Sequence, residues 1–278
     1  MKPVPELSVV IRGGDINDWL CKTVESTLNS QGLNLEIILV LNSPDVPLKG
    51  EALESQERAY SWLRDPRLTV LRYDRYIGVS NAMRVGCENA RADFIANVDG
   101  DDLVDSTKFR TQLDYLATHP QCVLVGTGGR LIDGTGQVTG HFKIPLGDDV
   151  RRSMLLLNPI PHSSIVMRAQ AYKEVGGYRQ DLEQFEDYDL FLRLARLGAV
   201  ATLPGPGISY RVHSENISKG AGARGRHIKV VAQGRRQLAK VLGVPLFLAL
   251  PQHFIWRAVQ FIRAAGLIRP LHEYFKFL

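Results

Sequence analysis

Phe94-Ile95-Ala96-Asn97-Val98-Asp99-Gly100-Asp101-Asp102 decides how this chain is read. A short, mostly apolar run that stops at an acidic turn reads as a buried strand. Its end presents carboxylates at alternate positions, Asp99 and Asp101. Such a pair can converge on one hard cation, Mg²⁺ or Mn²⁺. The plain alternative is an Asp-Gly turn with solvated acids. An EF-hand loop is excluded by counting, because the twelfth position from Asp99 is Arg110 where that loop needs Glu.

Upstream of the turn, strand and helix signals alternate. Leu7 to Ile11 reads as a strand, Trp19 to Leu28 as a helix with Leu20, Val24 and Leu28 in phase, and Leu35 to Leu41 as a second strand. Glu51 to Leu63 is compatible with a helix, Leu68 to Tyr73 is a third strand, and Val79 to Ala90 is a helix. The order predicts an α/β fold, a mostly parallel sheet sandwiched by helices. Ligands of such sheets sit outside the carboxyl ends of the strands. Those ends are Arg12-Gly13-Gly14, Asn42-Ser43, Tyr73-Asp74 and the acidic turn.

Downstream the pattern is less regular. Cys122–Gly126 and Gly129–Ile132 read as short strands, Asp133–Gly136 as a hairpin turn, and Tyr172 to Gly176 as the end of a helix. Asp187 to Leu197 is the clearest later helix, with Leu190, Leu194 and Leu197 on one face and Gly198 as its stop. Its first turn carries Glu186-Asp187-Tyr188-Asp189. Acids there complement the helix dipole, and a carboxylate there can also act as a general base.

Bulk properties narrow the class. With 278 residues and 45% hydrophobic content, the chain suits one sizeable domain with an appendage, or two small domains. Its three cysteines are widely spaced, which argues against a disulfide framework or zinc-thiolate site and fits a reducing cytoplasm. The first apolar run is too short for a signal peptide, and no run is long enough to predict a transmembrane helix. Walker A and dinucleotide fingerprints are missing; the Gly126-Thr127-Gly128-Gly129 run has Leu131 where the latter needs glycine.

Taken together, these motifs resemble the inverting family 2 glycosyltransferases of the GT-A fold. The resemblance spans roughly residues 7 to 218. Its pieces stand in the family's order: Ser8–Ile11, Thr23–Leu28, Gly78 with Ser80 and Ala82, Asp99–Asp102 as D-x-D-D, His162-Ser163-Ser164, Val175–Tyr178, Glu186–Leu190, and Tyr210–His213. It implies a metal-dependent transfer from a nucleotide-diphosphate sugar to a hydroxyl, of hexosyltransferase type, in cell-surface polysaccharide synthesis. It places Ile11, Asn42, Gly78, Asp99 and Asp101 against the donor. Asp101 would bind Mn²⁺ or Mg²⁺ directly, with Asp99 acting through water or on the ribose and His213 as a further contact. Asp187 would be the base. His162, Glu186 and Arg211 fall on the acceptor side. Two departures stand out: Arg12 where the family often has proline, and Leu41-Asn42 where it usually has Asp-Asp. A UDP-sugar is the expected donor, with dTDP and GDP sugars open.

The implied organisation is a catalytic domain over 1–218, with a nucleotide-sugar half of about 1–105 and an acceptor half of about 106–218, and a tail over 219–278. Between Asn216 and His272 the chain has no acid and ten Lys or Arg, against a whole-chain total of +5, so the rest is net acidic. Phe254, Ile255, Ala258, Phe261, Ile262 and Ala265 share one helical face, with Arg257, Gln260 and Arg263 toward another. That pattern predicts an amphipathic helical tail on an anionic membrane surface at the cytoplasmic face, meeting a glycan or lipid-linked acceptor. Docking of the tail on its own domain or on a second subunit is the alternative, and an oligomer is compatible with it. Nucleic acid is not expected as a partner, since no recognition motif accompanies the charge. Two other functions remain open to the sequence: a sugar-phosphate nucleotidyltransferase, and an inactive scaffold subunit of a polysaccharide assembly complex.

Overall fold

Alternation along the strands decides which layer each residue joins. In β1 (Leu7–Gly13), Leu7, Val9 and Ile11 enter one core and Val10 the other. In β2 (Leu35–Asn42), Ile37 and Leu39 face the first of these and Ile38 and Val40 the second. A strand apolar on both faces belongs in the middle of a covered sheet. The computed structural model describes residues 3–42, 59–142, 144–213, 225–245, 247–248 and 254–259.

β1 lies between β2 and β4 (Phe94–Asp99), parallel to both, and β2 is followed outward by parallel β3 (Leu68–Tyr73). α1 (Asp18–Leu28) covers one face with Leu20, Cys21 and Val24. Asn17 caps it, its side-chain oxygen accepting the Leu20 N–H at 2.9 Å. α2 (Val79–Glu88) covers the other with Ala82, Met83 and Cys87. The first four strands and both helices fall where the sequence puts them. Most of the expected Glu51–Leu63 helix lies outside the described residues; Ser61–Arg64 forms a 3-10 turn.

Beyond β4 the sheet changes character. The remaining strands are β5 (Leu103–Val104), β6 (Cys122–Ile132), β7 (Val138–Phe142), β8 (Val166–Arg168) and β9 (Ala199–Arg211). The sheet runs β3-β2-β1-β4-β8-β6-β9-β5, with β7 paired to β6. β8 is antiparallel to both β4 and β6, while β6 and β9 are parallel. The sheet is thus parallel in its first half and mixed in its second. The two short strands expected in 122–132 are one strand, whose register shifts at Thr127/Gly128. β9 is unforeseen, because Pro204-Gly205-Pro206-Gly207 interrupts its apolar pattern and reads as a turn.

After α3 (Lys108–Thr118) come α4 (Ala169–Glu174), α5 (Glu186–Leu194) and α6 (Gly225–Val241). α5 ends earlier than its periodicity suggests. Leu190 and Leu194 are buried, but Leu197 lies past the helix and is exposed. α6, within the basic tail, belongs to the same hydrophobic core as α5 through Val231, Ala232, Leu238 and Ala239. Trp256 joins that core further along the chain, with its ring 5.9 Å from that of Phe185 and the Arg235 guanidinium 4.8 Å from its centroid. Cations of the tail have internal partners: Arg235 donates to the Leu155 carbonyl, and Arg226 pairs with Asp181. Phe254 and Ile255 remain exposed. Phe261, Ile262, Arg263 and Ala265 lie outside the described residues. Among the described residues no helix is long and apolar enough to cross a membrane.

Candidate active site

The acidic turn leaves β4 beside the end of β1. The Gly100 N–H donates to the Arg12 carbonyl at 2.9 Å. A Cβ at Gly100 would stand 2.8 Å from that same oxygen, so a side chain there would push the turn off β1. Asp102 anchors the turn from below and is fully buried. One of its carboxylate oxygens accepts the Arg211 N–H at 2.9 Å, and the other accepts the Ser163 hydroxyl. Burial, with Asp101 and Asp99 nearby, pushes the Asp102 carboxyl well above its ordinary range. Arg211 is buried too. Its Nε donates to the Asp101 carbonyl at 2.8 Å and its Nη1 to the Asp133 carbonyl at 2.9 Å. Thus Arg211, read from sequence as an acceptor-side residue, clamps the acidic turn from β9.

The same clamp sets the position of His213, two residues past the end of β9. His213 Nε2 lies 2.8 Å from Asp101 Oδ2. Its ring rests on Trp19 at a centroid distance of 4.6 Å, and Trp19 Nε1 donates to the Gly134 carbonyl at 3.0 Å. Burial and the like charge of Asp99 raise the Asp101 pKa, against the lowering effect of His213. The carboxylate suits Mn²⁺ or Mg²⁺, and an imidazole beside it favours the softer Mn²⁺ of the two. Among the described residues no three or more His, Cys, Asp or Glu side chains are gathered for a metal ion. The pair therefore fits an ion that completes its shell with phosphate oxygens and water, as Mg²⁺ commonly does.

Asp99 has different company. Arg12 Nη2 is 3.3 Å away and His162 Nδ1 3.6 Å, while the Asp99 N–H donates to Ser163 Oγ at 3.0 Å. Burial opposes its charge, but His162 and Arg12 outweigh burial and hold the carboxyl below the usual carboxylate range. His162 is set by a polar cluster under the sheet end. Its Nε2 lies 2.7 Å from the Tyr178 hydroxyl, which also accepts from Asn97. Burial favours neutral imidazole here, yet Asp99 and Asp187 prevail and raise the His162 pKa.

The second acidic group opens α5. Phe185 precedes it at φ 60°, the one non-glycine residue with positive φ among the described residues. A bulky side chain rarely adopts that conformation, so the helix start is strained. The three acids of the first turn then separate. Asp189 is buried against Arg193 Nη2 at 2.7 Å and Arg179 Nε at 3.2 Å, a structural pair. Asp187 accepts the Tyr188 N–H at 2.6 Å and the Asn158 side-chain amide at 2.8 Å. Burial raises its pKa, with His162 opposing. Burial and the neighbouring Asp187 push Glu186 up to about 8. Carboxylates of raised proton affinity are suited to accepting a proton.

The remaining expected donor residues sit at the edges. Ile11 is a core side chain beneath the strand end. Asn42 is buried, and its amide group is engaged on both sides: it accepts the Ile77 N–H at 2.8 Å and donates to the Gly78 carbonyl at 3.1 Å. It pins the loop before α2. Gly78 heads that helix at φ +90°, and a Cβ there would stand 2.2 Å from Glu183 Oε1. Sequence reasoning misses Asn158, Ser163 and Trp19 as parts of the site. Ser163 stands inside the His162-Ser163-Ser164 motif, but a lone Asn and a lone Trp carry no spacing signal.

Comparison with known proteins is consistent with this geometry. The model of glycosyl transferase family 2 matches residues 14–176. The amylovoran biosynthesis glycosyltransferase AmsE of Erwinia amylovora is 30% identical over 70% of this chain and 72% of its own. The O-antigen biosynthesis glycosyltransferase WbnJ of Escherichia coli is 24% identical over 89% of this chain and 94% of its own. Among solved structures, S. aureus TarS 1–349 in complex with UDP-GlcNAc aligns with a TM-score of 0.69 at 13% identity, over 90% of this chain and 73% of that one. Against the longer TarS chain the TM-score is 0.63 at 15% identity, and this chain spans 43% of it. At such identities the likeness is one of fold.

Proposed function

The chain belongs to glycosyl transferase family 2 and is a glycosyltransferase, and we propose that it transfers a sugar, with inversion, from a nucleotide-diphosphate donor to a hydroxyl of a glycan or lipid-linked acceptor. The family match removes the nucleotidyltransferase alternative. The observation that carries the proposal is the placement of two acidic groups at one end of the sheet: Asp99 beside Arg12 and Asp101 beside His213, and Asp187 with raised proton affinity at the head of α5. The TarS fold relative was solved with UDP-GlcNAc, which supports a nucleotide-sugar donor. The names of AmsE and WbnJ support a role in building surface polysaccharide.

In this reading Asp101 and His213 hold Mn²⁺ or Mg²⁺. Such an ion supplies positive charge against the departing diphosphate. Asp99 stays ionised beside Arg12 and His162 and is available to the donor ribose. Asp187, oriented by Asn158 and its own helix amide, takes the proton of the acceptor hydroxyl. That oxygen then bonds the anomeric carbon as the bond to the diphosphate breaks, and the configuration inverts in one displacement. The tail adds a location. Phe254 and Ile255 are exposed beside the exposed Arg257, a combination suited to an anionic membrane surface, here the cytoplasmic face.

The test is a panel of UDP, dTDP and GDP sugars, read by calorimetric binding and by slow donor hydrolysis with and without Mn²⁺. The expected result is binding and hydrolysis of at least one donor that depend on the ion. Binding of none, or hydrolysis unaffected by excess chelator, overturns the proposal.

A further inference from the structure

We propose that Arg12 is a donor-binding residue whose guanidinium takes the diphosphate of the nucleotide sugar, an inference that rests on the nucleotide-sugar reading of the site. Arg12 occupies the carboxyl end of β1, and its register partner across β1 and β4 is Asp99. Both side chains keep partial access to solvent, 18% and 22%, at the mouth of the site. The contact between them is long and single, Nη2 to Oδ1 at 3.3 Å. A guanidinium has five N–H donors in a planar fork. Here Nε is buried with no hydrogen-bond partner among the described residues, a state that costs free energy.

Charge balance points the same way. Arg12 stands in the field of Asp99, Glu186 and Asp101, carboxylates drawn from both acidic groups. A diphosphate entering that space meets repulsion from those of them that are ionised, Asp99 first. The Asp101–His213 pair answers this with a metal ion. Arg12 answers it with a permanent cation whose forked donors match phosphate oxygens. Arginine at this position makes diphosphate binding depend less on the divalent ion than an apolar residue would.

The test compares wild type with Arg12→Gln and Arg12→Lys in the full chain. Calorimetry first identifies which of UDP, dTDP and GDP binds best to wild type, then measures that diphosphate and its parent nucleoside, with and without Mn²⁺. The expected result is a loss of diphosphate affinity of about 10- to 100-fold in Arg12→Gln, with and without the ion. Arg12→Lys recovers part of it, and nucleoside affinity changes less than twofold, on the order of the scatter for an unaffected contact. Unchanged diphosphate affinity overturns the proposal. So does an equal loss for nucleoside and diphosphate, which assigns Arg12 to the shape of the pocket. If the free diphosphate binds normally but the nucleotide glucuronate weakens, the anion is the sugar carboxylate and the proposal fails. A wild type that binds none of the three diphosphates overturns the donor reading as well, a result distinct from the others.

Discussion

The acidic turn after β4 and the acidic head of α5 are built from the same residue types, yet Asp99 in the turn is held below the usual carboxylate range while Glu186 and Asp187 at the helix head are raised. Around the turn, Arg12 and His162 face Asp99, His213 faces Asp101, and Arg211 lies beneath. At the head of α5, Asp187 accepts from two neutral amides and Glu186 feels the like charge of Asp187; burial outweighs the opposing charge of His162, and proton affinity rises. Motif content alone does not separate a cation-binding carboxylate from a proton-accepting one. The neighbours do. A group whose charge is compensated stays ionised and binds; a group whose charge is disfavoured has raised proton affinity and is suited to exchanging protons.

Substitutions can break that division of labour. The largest effect is expected for Asp101→Asn, which removes the ligand charge facing His213: turnover should disappear while circular dichroism and melting stay native. Asp187→Asn comes next, with kcat falling by about 10²–10⁴-fold and donor affinity nearly unchanged in steady-state kinetics. A pH profile then sharpens the comparison. A base works only when ionised, so with Asp187 and Glu186 both raised, kcat/KM should show an acid limb at higher pH than an ordinary carboxylate gives. Glu186→Gln removes the like charge and should move that acid limb to lower pH. Arg211→Met leaves the Asp101 and Asp133 carbonyls without their donor, a cost of about 1–3 kcal/mol for each group left buried, visible as a lower melting temperature. The smallest effect concerns the tail. Phe254→Ser with Ile255→Ser should weaken co-sedimentation with anionic vesicles and leave donor hydrolysis intact; equal sedimentation would remove the membrane role from these side chains.

One half of the molecule is far more legible in the sequence than the other, for a physical reason. In β1, β2 and β4 both faces are buried, so hydrophobic runs mark the strands directly, and the four strand ends locate the cleft. Asp99, Asp101 and Asp187 are visible because acids there end an apolar run or open a helix. The second half is assembled by long-range pairing. β9 hides behind its Pro-Gly repeats, yet it carries the Arg211 clamp and delivers His213 to Asp101. Asn42 shows the limit of reading one residue at a time. As a polar residue at a strand end it suits a base edge, but both halves of its amide are taken by the loop before α2. The tail shows a related limit: a cation count does not reveal that Arg235 and Arg226 have partners far away in sequence.

The central claim is that the turn binds and the head of α5 reacts. It is tested most directly by one crossed measurement: Mn²⁺-dependent affinity for the nucleoside diphosphate, and the single-turnover rate of donor hydrolysis, in Asp101→Asn and Asp187→Asn side by side. The account predicts that Asp101→Asn loses the Mn²⁺-dependent part of the affinity, while Asp187→Asn keeps that affinity and loses the rate. Intact Mn²⁺-dependent binding in Asp101→Asn, or collapsed binding with an unchanged rate in Asp187→Asn, would contradict it.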